Sequence, residues 1–282
     1  MTDTQNVTLP TIALLGAGSM GRAILTGLVA PGVTVEGGIR VTNRSLARAT
    51  ELESLSGVTA YATEKDVGAN RLAVDGAAIV LVAVKPAMVP DLLREVGASL
   101  SPGTIVVSVA AGVTIATFES LLPDTVSVVR SMPNTPAIVR KAVTGISGGT
   151  RTQPEDLAIV RTLFETVGEV VEVPESQLDA LSTISGSGPA YVFYLVEQLT
   201  QAAIGKGFTP EQAAQLVNGT FLGASDLLVT SGEDPAELRR RVTSPGGTTE
   251  RAVTVLESAH LADLFTRATD AALARARELA AS

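Results

Sequence analysis

The sequence predicts an α/β N-terminal domain with a Rossmann-type, doubly wound sheet, followed by an all-α C-terminal domain. From residue 11 to about residue 173, short apolar runs alternate with amphipathic segments, as in βαβ units around a parallel sheet. A glycine-rich turn follows the first apolar run. After residue 173 the β-branched runs stop and long segments rich in Ala and Leu follow, which predicts a second, helical domain.

The elements of the first domain are predicted from its apolar runs. These runs are rich in Val and Ile with few polar interruptions, which indicates strands buried on both faces of a sheet. We predict strands at residues 12–15, 39–42, 78–84, 104–107, 126–130, 142–146 and 169–173. The amphipathic segments between them predict helices at residues 19–29, 45–54, 86–98, 115–121 and 155–167.

The second domain is predicted from helix start signals. Residues 209–212 supply an N-cap, a first-turn proline and the partner of a capping box, and residues 234–237 repeat the arrangement. Because the pattern changes near Pro174, we place the domain boundary there. The predicted domains are residues 1–173 and residues 174–282.

Composition and charge exclude several classes of protein. The 282 residues carry a formal net charge of −8, whereas nucleic-acid binding needs a clustered excess of Lys and Arg, so we expect no nucleic-acid partner. The one basic run, residues 239–241, is interpreted as a solvated helix face, with an anion-attracting rim as the alternative. The absence of Cys excludes disulfides, thiolate metal sites and a cysteine nucleophile.

The sequence favours a cytoplasmic protein without a membrane partner. Its N-terminal residues lack a basic segment followed by an apolar stretch, so no secretory signal is expected. No apolar run approaches the roughly 18 residues that span a bilayer. No metal site is expected either.

Residues 16–21 form the pattern G-x-G-x-x-G between a predicted strand and a predicted helix. Gly16 permits the tight turn, Gly18 lets the backbone approach a pyrophosphate, and Gly21 allows the helix to pack closely on the strand. Ser19 and Met20 lie at the helix N-terminus, which attracts phosphate charge. The pattern predicts a dinucleotide site, with a purely structural glycine turn as the alternative.

The end of the second predicted strand indicates which dinucleotide binds. A site that prefers NAD usually has an acidic residue there, but this chain has Asn43, Arg44 and Ser45. Arg44 can grip a 2′-phosphate with its planar guanidinium, and Asn43 and Ser45 can donate hydrogen bonds. NADP, as NADPH, is therefore the predicted cofactor, with NAD (NADH) as the alternative.

Three more loops follow predicted strands, and ligands bind at the carboxyl ends of strands in doubly wound folds. Lys85 is expected to line the nicotinamide or the ribose, or alternatively to extend from the strand end into water. The loop that contains Asn134 is fixed by two prolines and can lie over the cofactor. The cofactor-binding candidates of these loops are Val84, Lys85, Pro86, Ala110 and Asn134.

In the helical half, residues 242–249 read VTSPGGTT and open a predicted helix. A Gly-Gly-Thr-Thr turn at a helix N-terminus presents backbone N–H groups and two hydroxyls, which suit a small carboxylate. Simple helix capping is the alternative. The substrate-binding candidates are Ser244, Gly247, Thr248 and Thr249.

Together these motifs resemble the pyrroline-5-carboxylate reductase family. GAGSMG, the NR pair, AVKP, SVAAG, RSMPNTP, SGSGPAYVF and VTSPGGTT occur in the family's order and approximate spacing, nearly end to end. Two stretches depart from the family pattern: residues 140–143 lack the usual small, glycine-containing sequence, and Glu250 and Arg251 are more charged than is typical.

The resemblance implies that NADPH, or NADH, reduces the C=N bond of 1-pyrroline-5-carboxylate to L-proline, the last step of proline biosynthesis. It implies that the helical domain binds substrate and forms a homodimer, with a decamer as a further assembly. We expect the Ser244 to Thr249 turn to bind the substrate carboxylate, with Thr249 also near the ring nitrogen as the catalytic candidate. His260, the single histidine, lies outside the motifs and is expected at the surface.

Two other functions stay open at this point. One is a related NADP-dependent reductase, such as an imine reductase or a hydroxyacid dehydrogenase resembling 6-phosphogluconate dehydrogenase. Those enzymes usually carry a Lys or Asp acid/base in the first long helix of the helical domain, and residues 185–193 offer neither. The other is a regulatory module that binds NADP without catalysis, against which the VTSPGGTT turn counts.

Overall fold

A computed structural model describes residues 6–281, with side chains described to residue 278. Residues 1–5, which entered the argument about a secretory signal, lie outside the described residues. Contacts divide the chain into two compact units. The first contains the residues up to Ser187 and those from Ala272 onward, and the second is Gly188–Ala271.

The first unit is built on an eight-stranded sheet, with a small two-stranded sheet beside it. The small sheet pairs β1 with β3 in parallel. The described strands are β1 (Val7–Leu9), β2 (Ile12–Leu15), β3 (Val33–Val35), β4 (Ile39–Asn43), β5 (Val58–Ala62), β6 (Ile79–Val82), β7 (Ile105–Ser108), β8 (Ser127–Met132), β9 (Ala142–Gly148) and β10 (Gly168–Glu172).

Helices connect most of these strands. Short 3₁₀ turns occur at Pro86–Met88, Gly97–Ser99 and Thr135–Val139, and a π-helical turn at Ser182–Gly186. The described α-helices up to the second unit are α1 (Ser19–Leu28), α2 (Leu46–Glu53), α3 (Ala69–Val74), α4 (Val89–Val96), α5 (Ile115–Leu121), α6 (Pro154–Glu165) and α7 (Glu175–Leu181).

The order of the large sheet is β10-β9-β8-β7-β6-β2-β4-β5, and the six strands from β8 to β5 are parallel. The chain winds outward from β2 in both directions, so the strand order reverses between β2 and β6. Ligands of doubly wound folds bind outside the carboxyl ends of the strands at such a reversal. The predicted fold class is confirmed.

The core lies on both faces of the sheet. Ile12 and Leu14 of β2 pack in one cluster with residues of α1, α2 and α6, whereas Ala13 and Leu15 pack in the other with residues of α3, α4 and α5. Successive side chains of a strand point to opposite faces, which explains this division. All four residues of β2 are fully buried, as its continuous apolarity predicts.

The predicted strands are all present, but the sheet is not parallel throughout. β9 runs antiparallel to β8, and β10 is parallel to β9. A parallel connection needs a crossover of about a dozen residues or more, usually a helix. The short connection with the 3₁₀ turn Thr135–Val139 provides no such crossover.

The sequence patterns do not predict β1, β3, β5 and α3. β1 and β3 have only three residues each, and α3 has six, too few to show a period. β5 includes an exposed residue and lies at the sheet edge, so it lacks a continuous apolar run. The predicted helix at 86–98 is a 3₁₀ turn followed by α4, with prolines in the first turn of both.

Among the described residues, the second unit is helical. Thr209 caps α9, and its hydroxyl and the Gln212 side chain form the predicted capping box. Asp234 caps α10 through the N–H of Ala236 at 2.7 Å. The helices are α8 (Gly188–Ile204), α9 (Pro210–Ser231), α10 (Pro235–Arg241), α11 (Thr248–Glu257) and α12 (Leu261–Ala281), of which α12 continues beyond the unit.

The contact units divide after Ser187, whereas the change of sequence pattern predicts a domain boundary near Pro174. Helix α7 contacts β8 and β9, and its Leu178 is buried, so its packing groups it with the sheet. The sequence boundary is placed where the apolar strand segments end, whereas the contact units reflect the packing of α7 against the sheet. No helix within residues 6–281 has the length and apolarity needed to cross a membrane.

Candidate active site

The glycine turn after β2 is closed on one side and open on the other. Gly16 has a φ of 96°, a left-handed conformation that favours glycine, and a Cβ there would lie 2.9 Å from the carbonyl oxygen of Ala83. A Cβ on Gly21 would overlap the carbonyl oxygen of Gly16. A Cβ on Gly18 would meet nothing within 4 Å. The turn therefore presents open backbone at Gly18, the N-cap of α1.

A cleft of about 590 Å³ lies in front of this turn, where the strand order reverses. Of the predicted cofactor residues, it is lined by Gly16, Gly18, Asn43, Arg44, Val84 and Lys85. Ser19 is exposed in the first turn of α1, while Met20 packs against the core. The size and position of the cleft suit part of a dinucleotide.

Asn43 braces the glycine turn. Its side chain is buried, and its Nδ2 donates to the carbonyl oxygen of Ala17 at 3.1 Å. Its Oδ1 accepts from the N–H of Ser45 at 3.3 Å. The amide that was predicted to donate to a phosphate is thus engaged within the chain, and it ties the turn to the end of β4.

Two guanidinium groups line one end of the cleft. Arg44 and Arg48 are both exposed; Arg44 precedes the N-cap of α2, and Arg48 lies in the first turn of that helix. The Ser45 hydroxyl caps this helix by accepting from the Arg48 N–H at 3.5 Å. The pKa of Glu51 is lowered mainly by its hydrogen bond to Arg22, and the charge of Arg48 adds to that effect. Arg48 was missed in the sequence, although its i,i+4 spacing from Arg44 was visible.

Asn70 and Glu95 also line the cleft. The Asn70 Nδ2 donates to Glu95 Oε2 at 3.1 Å, because a carboxylate can only accept. Oε1 of Glu95 is buried and has no hydrogen-bond partner among the described residues. Neither residue belongs to a recognisable motif, so no sequence pattern indicates that they line the cleft.

A second cavity, of about 770 Å³, adjoins Lys85. Lys85 lines both cavities, so it stands between them. Most of the second cavity's lining is apolar, including Pro86, Ala111 and Met132. An apolar cavity with a few polar groups suits a flat aromatic ring such as nicotinamide.

An ion-pair network forms part of this second cavity. Arg130, whose side chain is only 7% exposed, pairs with Asp179 at 2.6 Å and with Glu175 at 3.3 Å. Glu175 Oε1 also accepts from the N–H of Ile115 at 2.7 Å, at the start of α5. The network therefore joins β8, α5 and α7. The acidic partners come from outside the RSMPNTP motif, so sequence could not pair them.

Ala110 and Asn134, two further predicted cofactor residues, are also buried. Ala110 is 3% exposed, and its N–H donates to Ser108 Oγ at 3.4 Å. The Nδ2 of Asn134 donates to the carbonyl oxygen of Ser185 at 2.9 Å, and its Oδ1 accepts from the N–H of Val143 at 3.0 Å. Asn134 thus ties its loop to the π-helical turn and to β9, and neither residue lines the two cavities.

In the second unit, the predicted carboxylate turn opens α11. Gly247 is the N-cap, and its N–H donates to the carbonyl oxygen of Ser244 at 3.0 Å. Thr248 is exposed and Thr249 is half-buried. The first N–H groups of a helix lack partners within it, and the N-terminus carries partial positive charge. The N–H groups of the turn can therefore donate hydrogen bonds to the oxygens of an anion.

The other charged candidates lie at the surface of this unit. His260 is exposed and has a φ of 48° in the turn between α11 and α12. The three arginines of the basic run pair with acids: Arg239 with Glu257, Arg240 with Glu237, and Arg241 with both Glu233 and Glu237. Hydrogen bonds from Arg240 and Arg241 lower the pKa of Glu237. These pairs fit the predicted solvated helix face.

Comparison with known proteins identifies the family. A pyrroline-5-carboxylate reductase of Corynebacterium melassecola is 38% identical over 274 residues, covering 96% of this chain and 99% of that protein. The chain belongs to the pyrroline-5-carboxylate reductase family. The reductase of Escherichia coli (strain K12) is 36% identical over 246 residues, covering 87% of this chain and 89% of that protein.

Solved structures and family models agree with this membership. A pyrroline-5-carboxylate reductase of Coxiella burnetii superposes with a TM-score of 0.88 at 38% identity, covering 98% of this chain and 99% of that chain. A Plasmodium falciparum pyrroline carboxylate reductase with NADP bound shares the fold, with a TM-score of 0.81 at 24% identity, over 96% of this chain and 98% of that chain.

Two family models match the two parts of the chain. Residues 11–112 match the model described as NADP oxidoreductase, coenzyme F420-dependent, and residues 175–279 match the one for pyrroline-5-carboxylate reductase dimerisation. The predicted family is confirmed, and so is the predicted class, a nicotinamide-dependent oxidoreductase.

Proposed function

We propose that this chain reduces the C=N bond of 1-pyrroline-5-carboxylate to L-proline, the last step of proline biosynthesis, with NADPH as hydride donor. The observation that carries the proposal is the cleft at the strand-order reversal, with its glycine turn and two guanidinium groups, in a chain of this family. Family membership supports the identity of the substrate, and the residues of the cleft support the identity of the cofactor.

The glycine turn supports binding of the cofactor pyrophosphate. Gly16 and Gly21 allow close packing behind the turn, and the open backbone at Gly18 leaves room for the phosphates. The amide groups of Ser19 and Met20 belong to the first turn of α1, where backbone N–H groups favour phosphate. These five residues hold the pyrophosphate.

Arg44 and Arg48 support a preference for NADPH over NADH. A 2′-phosphate carries negative charge and matches the planar donors of a guanidinium. Asn43 and Ser45 position Arg44 through the bonds that fix the end of β4 and the start of α2. NADH lacks the phosphate, so it gains nothing from the two cations.

Bound NADPH supplies the hydride, and the protein supplies alignment and shields the reacting carbon from water. Val84, Lys85 and Pro86 border the two cavities on the nicotinamide side. Ala110 and Asn134 stabilise the loops on that side through hydrogen bonds, from the Ala110 N–H to Ser108 and from the Asn134 side chain to Ser185. A protonated imine is already electrophilic, so the site needs no strong general acid.

The turn at the start of α11 supports binding of the substrate carboxylate. Ser244, Thr248 and Thr249 provide hydroxyls, and Thr248 and Thr249 also provide backbone N–H groups, at a helix N-terminus where negative charge is stabilised. Gly247 shapes this binding turn as the N-cap of the helix. The Thr249 hydroxyl lies near the ring nitrogen of the bound substrate. Thr249 is therefore the catalytic candidate, and the exposed His260 has no part in the reaction.

The assembly proposed for this chain is a homodimer through the region of residues 174–282, with a decamer as a larger form. The match to a dimerisation model over residues 175–279 supports it. So does α8, an apolar helix with no buried residue among the described ones. We place this biosynthetic enzyme in the cytoplasm.

One assay tests the proposal. The purified protein is mixed with pyrroline-5-carboxylate and either NADPH or NADH, and the absorbance of the reduced cofactor is followed. We expect oxidation of NADPH with formation of proline, and slower oxidation of NADH. No oxidation of either cofactor, with NADPH still bound, would favour a non-catalytic NADP-binding module instead.

A further inference from the structure

The turn that opens α11 is held by a carboxylate of the same helix. Glu250 lies in the first turn of α11, and its Oε2 accepts from the N–H of Gly246 at 2.8 Å. Gly246 has a φ of 72°, a conformation that favours glycine. Glu250 is half-buried. A side-chain bond thus fixes a peptide that the backbone alone leaves adaptable.

This bond leaves the amide groups of Thr248 and Thr249 available as donors to the substrate. The N–H of Gly246 binds Glu250, and the N–H of Gly247 binds the carbonyl oxygen of Ser244. The first bond inside the helix runs from the Arg251 N–H to the Gly247 carbonyl oxygen at 3.3 Å. The amides of Thr248 and Thr249 precede it, as in any helix N-terminus.

The hydrogen bond of Glu250 orders the turn, but its negative charge opposes the binding of an anion there. A carboxylate in the first turn stabilises the helix, because it faces the positive end of the helix dipole. A second carboxylate that binds at the same turn meets a like charge and loses part of that attraction. The hydrogen bond therefore orders the site, whereas the charge weakens its affinity for an anion.

We propose that Glu250 is a positioning residue of the substrate turn, which orders the turn through Gly246 and raises the KM for the anionic substrate through its charge. The inference rests on the proposed function. It also gives a role to one of the two charged residues that depart from the family pattern after VTSPGGTT.

Two substitutions separate the two effects. Glu250→Gln keeps an acceptor oxygen for Gly246 and removes the charge. Glu250→Ala removes both. For Glu250→Gln we expect a KM for pyrroline-5-carboxylate about threefold below wild type at low salt, an unchanged kcat, and a difference that shrinks as salt screens the charge. For Glu250→Ala we expect kcat/KM about fivefold below that of Glu250→Gln, because one ordering hydrogen bond is lost.

Glu257→Gln is the matched control. It removes the same charge from the last turn of the same helix, where Glu257 pairs with exposed Arg239, and its KM should equal that of wild type. A second readout needs no turnover: hydrogen exchange of the segment containing Gly246 should be faster in Glu250→Ala than in wild type and Glu250→Gln.

The results that overturn the inference are specific. They are equal kcat/KM and equal exchange in Glu250→Ala and Glu250→Gln, or a KM in Glu250→Gln that matches wild type at low salt. If wild type does not reduce pyrroline-5-carboxylate at all, the proposed function fails, and the inferred substrate role fails with it. Exchange then still reports whether Glu250 orders the turn.

Discussion

At the residue scale, the proposed preference for NADPH depends on Arg44 and Arg48. For Arg44→Ala we expect kcat/KM with NADPH to fall about 10- to 100-fold, since a charged hydrogen bond contributes about 1.5 to 3 kcal/mol. For Arg48→Ala, a loss of about threefold is expected, because we assign the hydrogen bond with the 2′-phosphate to Arg44 and only a screened charge attraction to Arg48. In both variants kcat/KM with NADH should change by less than about twofold, because NADH lacks the 2′-phosphate. Steady-state kinetics with the two cofactors measure this.

Arg267→Ala provides the control for these variants, since it removes an exposed arginine from α12 in the other unit. Its two kcat/KM values should match those of wild type. A parallel loss with NADPH and NADH in Arg44→Ala would show that the side chain supports the fold of the cleft and does not read the phosphate.

The proposed substrate site depends most on Thr249. For Thr249→Ala we expect kcat/KM for pyrroline-5-carboxylate to fall about 10- to 100-fold, because one or two oriented hydrogen bonds are lost. The binding of NADPH, followed by its fluorescence, should stay as in wild type. Thr254→Ala is the control, because the exposed Thr254 hydroxyl donates a hydrogen bond to the Glu250 carbonyl oxygen of the same helix. Unchanged kinetics in Thr249→Ala would remove the residue from the site.

The sequence predicts many of the residues that line the cleft beside the glycine turn. It predicts less well which hydrogen bonds their side chains form. Gly16 and Gly18 follow from a local pattern, because the backbone conformation of a tight turn depends on neighbouring residues. The roles of Asn43 and Asn134 depend on which carbonyl groups lie opposite their amides, and those carbonyls come from distant residues. For Glu95, even the presence in the cleft depends on the packing of α4.

At the element scale, Arg130 connects β8 to α5 and α7. Removing one partner of a buried ion pair leaves uncompensated charge and costs about 3 to 5 kcal/mol. Because Glu175 and Asp179 are 32% and 29% exposed, water compensates part of this loss. We expect Arg130→Ala to lower the free energy of unfolding of the first unit by about 2 to 3 kcal/mol, measured by urea denaturation.

Arg94→Ala tests whether burial is the reason. Arg94 pairs with Asp91 at 2.8 Å, but both side chains are largely exposed. Removing this pair should change stability by less than about 1 kcal/mol. Equal losses in Arg94→Ala and Arg130→Ala would contradict the importance assigned to the buried network.

The elements that sequence predicted are those with a long or continuous pattern. β2 is fully buried, so its four apolar residues predict its bounds without error. β5 lies at the edge and α3 is short, so neither produces a period that can be distinguished from a loop. The antiparallel pairing of β9 with β8 depends on the length and shape of the connection, which apolarity does not report.

At the scale of the whole molecule, the helical unit exposes many large apolar side chains. On α8, Phe193 and Tyr194 are 67% and 61% exposed, and none of the helix's described residues is buried. A helix that is apolar over most of its surface is normally buried. Large exposed apolar patches mark interfaces between proteins. The match of residues 175–279 to a dimerisation model supports our proposal that this surface binds a second copy of the chain.

Phe193→Asp tests that assignment. A charge placed in an apolar interface must be desolvated when the subunits associate, so we expect dissociation toward the monomer at micromolar concentration. Light scattering after size-exclusion chromatography measures the mass. Val67→Asp is the control, because Val67 is 87% exposed and lies outside the matched dimerisation region. A wild-type monomer, or a Phe193→Asp variant with the wild-type mass, would show that the exposed face of α8 is not the surface through which two copies associate.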